Sequence, residues 1–122
     1  MSYLKILELN DMVIVSYDIS LLRAEMEQLA KEKKSIVLNP DNQAILYIKK
    51  HKPKVIILDI SSAESLLYEV YLAIKNEIPD AKFIITGYQK FLRGKFEEVE
   101  GFKVFPYSSK KVKQILKEQF KL

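Results

Sequence analysis

The stretch Val55-Ile56-Ile57-Leu58-Asp59-Ile60 is an apolar strand pattern that ends on one carboxylate. A run this apolar suits a strand buried on both faces, as in a parallel sheet covered by helices. In open α/β sheets, ligands and chemistry gather at the carboxyl ends of such strands. Asp59 therefore stands where a site is expected.

Strand-like and helix-like segments alternate around it. Met12 to Val15 is apolar and β-rich. Asp18 or Ser20 is suited to cap a helix whose apolar residues Ile19, Leu22, Met26 and Leu29 recur at helical spacing. Ser35 to Leu38 predicts a second strand, stopped by Asn39-Pro40-Asp41-Asn42. Ala44, Ile45 and Ile48 mark a short helix, with His51 as a turn residue after it. Leu67, Val70, Tyr71 and Ile74 define a third helix closed by Pro79-Asp80. Phe83 to Thr86 is a fourth strand, and Phe91, Leu92, Phe96 and Val99 predict a short fourth helix. Phe102 to Phe105 is the fifth strand, and Val112, Ile115, Leu116 and Phe120 form the buried stripe of a last helix.

Five βα units in succession call for a three-layer α/β/α domain around a central, mainly parallel five-stranded sheet. At 122 residues the chain is expected to form one domain, with 12–122 as its core. Residues 1–11 are an extension in which Tyr3 to Leu9 also has strand character, and Asn10-Asp11 resembles a tight turn into Met12. Such a turn reaches only an adjacent strand. Either the extension is not a tight hairpin or the strand order differs from 2-1-3-4-5.

Composition narrows the functional classes. There is no cysteine, which fits a reducing cytosol and excludes thiolate metal sites and disulfides. No signal peptide is evident, and no apolar run approaches the ~20 residues of a membrane span. The net charge of +4 permits an acidic partner without requiring nucleic acid. Glycines are ungrouped, so no phosphate loop exists, and a lone histidine makes no zinc site.

From Met12 onward the chain resembles a response-regulator receiver domain, which implies a flavodoxin-like (βα)5 fold. His51-Lys52-Pro53 through Asp59-Ile60 is similar to the third strand of that family, with Asp59 at the phosphoacceptor position. Pro79 to Gly87 resembles the fourth strand, with Thr86 at the phosphate-sensing position and Gly87 as the small residue beside it. Phe102 falls at the aromatic switch position, and Pro106-Tyr107 resembles the Pro-aromatic pair.

The departures fall on the chemistry. Ser16 and Tyr17 occupy the positions of the acidic pair that helps hold Mg²⁺, a hard cation wanting oxygen ligands. Phe105 replaces the lysine that pairs with the phosphoryl group, while Lys103 lies two residues earlier. Phosphoryl transfer depends on positioning and charge neutralisation, so loss of these cations argues against it. The resemblance thus implies a pseudo-receiver of two-component type that signals by protein contact, with no catalytic residues, metal or cofactor. Tyr17, Tyr88 and Tyr107 are expected to plug the vacated acidic pocket, and Asp59 is expected to be partly exposed.

Lys110, Lys113, Lys117 and Lys121 recur along one stripe of the last helix, opposite Val112, Ile115 and Leu116. They are candidate partner-binding residues for an acidic protein, alongside the plainer role of a solvated face. Lys49, Lys50, Lys52 and Lys54 make a second basic cluster. A cytoplasmic setting and a homodimer are both compatible with this reading, whereas membrane and nucleic-acid partners are not expected. A second resemblance runs to STAS domains, through the Tyr3–Asp18 hairpin pattern and Leu58-Asp59-Ile60-Ser61-Ser62. It implies a regulatory serine among Ser61, Ser62 and Ser65.

Overall fold

The computed structural model describes residues 11–88 and 94–122. Its strands are β1 (Met12–Val15), β2 (Val37–Leu38), β3 (Val55–Asp59), β4 (Phe83–Thr86) and β5 (Phe102–Val104). The helices are α1 (Arg23–Glu32), α2 (Asn42–His51), α3 (Glu64–Glu77) and α4 (Ser109–Phe120). All neighbouring strands are parallel, in the order β2-β1-β3-β4-β5. This is the three-layer flavodoxin-like arrangement.

Strand alternation divides the core into two layers. Ile56, Leu58 and Ile60 face one layer with Val13, Val15, Phe83 and Ile85, covered by Ile48 of α2 and Leu67, Val70 and Ile74 of α3. Val55 and Ile57 face the other with Met12, Ile14 and Ile84, covered by Met26 and Leu29 of α1 and Val112 and Leu116 of α4. Truncating a residue of the central strand such as Ile57, fully buried against α1 and α4, would cost about 2–5 kcal/mol. Asp59 continues the Ile57 side and so projects toward the β1–α1 connection.

Local chemistry sets the helix ends. Asp41 caps α2 by accepting from the Gln43 and Ala44 amides at 2.9 and 3.2 Å. Ser108 caps α4 by accepting from the Lys111 amide at 3.2 Å. Lys52 ends α2 in the left-handed conformation, and His51 is that helix's last residue rather than part of the turn; its ring lies 4.2 Å from that of Tyr47.

Several sequence expectations need correction. Helix α1 starts at Arg23, not near Asp18: Asp18 and Ile19 are exposed in turns, and Ser20 is drawn inward by another partner. Strand β2 is only Val37–Leu38, although the Ile36 carbonyl still accepts from the Ile14 amide at 3.0 Å. Strand β5 stops at Val104. Over 94–99 the chain makes turns instead of the fourth helix; Phe96 and Val99 are buried there by packing against Tyr71 and its neighbours. Phe91 and Leu92 lie outside the described residues, as does the extension before Asp11. Among the described residues, no helix is long and apolar enough to cross a membrane.

Candidate functional site: a serine cage around Asp59

Parallel pairing aligns the strand ends that form the site. Asp59 is in register with Thr86, and Thr86 with Val104. Ser16 follows β1 directly, and Ser61 lies two residues past the end of β3. Ser20 comes from the loop before α1, where its hydroxyl accepts from the Leu22 amide at 3.2 Å.

These three serines enclose the carboxylate. Ser16 Oγ donates to Asp59 Oδ2 at 2.8 Å, and Ser20 Oγ donates to the same oxygen at 2.7 Å. Asp59 Oδ1 accepts from the Ser61 amide at 3.0 Å and from the Ser61 hydroxyl. Ser20 and Ser61 hydroxyls also touch at 3.1 Å. Ser20 and Ser61 each spend their one hydroxyl proton on Asp59, so neither donates in that contact. Asp59 is 1 % exposed, and Ser16, Ser20, Ser61 and Thr86 are buried with it. The expectation of a partly exposed carboxylate is therefore overturned: four donors replace its water.

Arg23 fixes the cage from outside. Its Nη1 donates to the Ser16 carbonyl at 2.7 Å and to Asn39 Oδ1 at 3.1 Å, while Nε pairs with Glu27 at 2.8 Å. Among the described residues, no Lys, Arg or His side chain hydrogen-bonds or pairs with Asp59. No group of three or more His, Asp or Glu there is disposed to hold a metal ion.

The other candidate positions are distributed around this centre. Thr86 Oγ1 donates to the Val104 carbonyl at 2.7 Å, tying β4 to β5. Gly87 brings its backbone close to β3: a Cβ there would lie 3.3 Å from the Ser61 amide nitrogen and 3.5 Å from the Phe105 ring. Phe105, at the lysine position, thus covers the strand end with an apolar ring. Lys103 turns away and donates to the Glu97 carbonyl at 2.6 Å. Phe102 stands at the start of β5, two residues before the strand position level with Thr86. Its ring meets Phe120 of α4 edge-on, with centroids 5.8 Å apart. The structure therefore brings Asp59 and Thr86 together and sets Phe102 apart.

The donors that fill the acidic pocket are the serines, not the tyrosines expected there. Tyr17, Tyr88 and Tyr107 are half-buried at the strand ends. Burial raises the Tyr107 phenol above its ordinary pKa, a Ser109 hydrogen bond opposing it. Sequence reasoning treated Ser16 only as a missing acid and Ser20 only as a cap. A residue type that is small and hydroxylated at both places was the available signal.

On the far side of α1, Lys113 pairs with Glu32, holding that carboxyl below the usual carboxylate range, with Gln28 assisting. Lys110, Lys117 and Lys121 are exposed. Ser62 and Ser65 are exposed, unlike Ser61. No protein-family model matches the chain, and no curated protein matches it either.

Proposed function

We propose that the protein is a receiver-like signalling module that acts by protein contact, without Mg²⁺-dependent aspartyl phosphorylation and without turnover of its own. One observation carries this reading: both oxygens of Asp59 are occupied as acceptors by serine donors in a buried pocket. A phosphoryl donor needs an accessible nucleophilic oxygen and cations to neutralise the transferred charge. Here the oxygens are engaged, Ser16 stands in place of an acid, and Phe105 stands in place of a cation.

The strand order supports the receiver-like reading over the STAS-like one. A hairpin partner for Met12–Val15 needs a free strand edge, and β2 and β3 take both edges in parallel. Of the serines that the STAS-like reading offers, Ser61 is buried, while Ser62 and Ser65 are exposed. A cytosolic setting goes with the cysteine-free composition.

An NMR titration with Mg²⁺ and beryllofluoride tests the proposal. Amide signals of Asp59, Thr86 and Phe102 are expected to stay in place. Saturable shifts at these residues in low millimolar Mg²⁺ would overturn it.

A further inference from the structure

The lysine stripe of α4 does not face open solvent alone. It borders a groove of about 810 Å³ whose far side includes Lys33 from the end of α1. Five lysines line it, at positions 33, 110, 113, 117 and 121, with Glu118 as the one acidic side chain among the lining residues. The two helices are tied across the groove by the Lys113–Glu32 pair and by Lys33 Nζ, which donates to the Leu122 carbonyl at 3.0 Å. Among the described residues, Lys110, Lys117 and Lys121 have no carboxylate partner. Like charges held this close along one element repel each other and gain from an added anion.

We infer that this groove docks a short acidic segment of a partner protein, with Lys110, Lys117 and Lys121 as its contact charges. The inference rests on the protein-contact reading above and names the partner's chemistry. From Lys110 to Lys121 the helix advances about 16 Å at 1.5 Å per residue. An extended chain rising about 3.3 Å per residue covers that length with roughly five residues. The lining favours a peptide over other polyanions. It holds no arginine fork for phosphate and no aromatic ring for bases. Its one apolar side chain is Leu122, while the exposed leucines and isoleucines lie on other elements, so nothing is present to enter a lipid surface.

Lys113 is the wrong residue to reverse in a test. A glutamate there would face Glu32 and open the joint between the helices. Lys110→Glu with Lys117→Glu avoids this. The first falls in the opening turn of α4, where a carboxylate is favoured, and the second in the closing turn, so their helix-dipole effects offset.

The experiment titrates isotope-labelled protein with an end-blocked hexaglutamate peptide at about 50 mM salt, where charges act over more than ~10 Å. Saturable shifts are expected at Lys33 and along 110–121, and not at Lys49–Lys54, the internal control for unselective charge. The double variant should weaken binding at least about tenfold, and ~0.5 M salt should abolish it. A hexathymidylate oligonucleotide and phosphatidylserine-containing vesicles run in parallel. Four results would overturn the inference: no saturable shift, equal shifts at Lys49–Lys54, tighter binding of the oligonucleotide, or vesicle binding lost in the variant. A Lys117→Gln/Lys121→Gln variant repeats the comparison should the reversal disturb folding. The beryllofluoride response at Asp59 is read without peptide, so the two proposals fail separately.

Discussion

Ser20 Oγ donates to Asp59 Oδ2 at 2.7 Å across 39 positions of sequence, locking the β1–α1 loop onto the end of β3. The same hydroxyl accepts from the Leu22 amide, so it joins a buried carboxylate to the turn that launches α1. Ile19 and Leu21 on either side point outward and are largely exposed. The inward residue of that loop is therefore selected by the carboxylate and not by apolar periodicity.

Ser20→Ala is expected to destabilise the fold by about 1–3 kcal/mol, the cost of a lost hydrogen bond to a buried charged group. Ser16 still serves Oδ2 in that variant. Removing both serines leaves the oxygen without a donor, so the double variant should lose at least about 0.5 kcal/mol more than the two single losses combined. Urea unfolding of the four proteins measures this, and strict additivity would mean that water enters the cage.

Ser16→Asp would set a second carboxylate 3 Å or so from Oδ2, given that the serine hydroxyl lies at 2.8 Å. With no cation between them, the expected loss is about 3 kcal/mol or more in EDTA. Mg²⁺ should restore part of it, since two carboxylates then offer a hard cation oxygen ligands. Thermal melts with EDTA and with Mg²⁺ check both halves, and an unchanged melting temperature in EDTA would contradict a closed pocket.

The repeating units were legible because β1 and β4 carry unbroken β-rich apolar runs, and both occupy the residues expected for them. Helix positions followed from the buried stripes of α2, α3 and α4. Residues 94–99, which make turns where a helix was expected, show where periodicity misleads. Phe96 and Val99 have helical spacing, but Phe96 is buried by ring contacts to Tyr68 and Tyr71, with centroids 5.4 and 6.1 Å away. A turn segment satisfies those contacts as well as a helix. The serine cage was hidden for a different reason. Its members sit at 16, 20, 59 and 61, and no local pattern links a loop hydroxyl to a carboxylate that only the fold brings near.

Gly101 has φ of +149°, and a Cβ there would lie 2.9 Å from the Phe83 carbonyl oxygen, which is backbone and cannot swing aside. Gly101→Ala is expected to cost about 1–3 kcal/mol through strain and displacement of β5 from β4. Chemical denaturation should show a lower midpoint with an unchanged slope. A variant as stable as the parent would mean that β5 shifts without penalty.

Burial raises the phenol pKa of Tyr47, Tyr71 and Tyr107 alike. Each folded value then lies above its unfolded value of about 10, so the unfolded chain releases these protons first as pH rises. Their stabilising contribution is complete below the unfolded pKa and is lost as pH climbs through the folded ones. Stability should accordingly fall from about pH 10 upward. Ultraviolet titration should show a later class of phenols that ionises together with unfolding. In Tyr107→Phe the later class should shrink by one phenol, and the alkaline loss of stability should become shallower. Ionisation of Tyr47, Tyr71 and Tyr107 at the unfolded value of about 10 in a still-folded protein would refute the assignment.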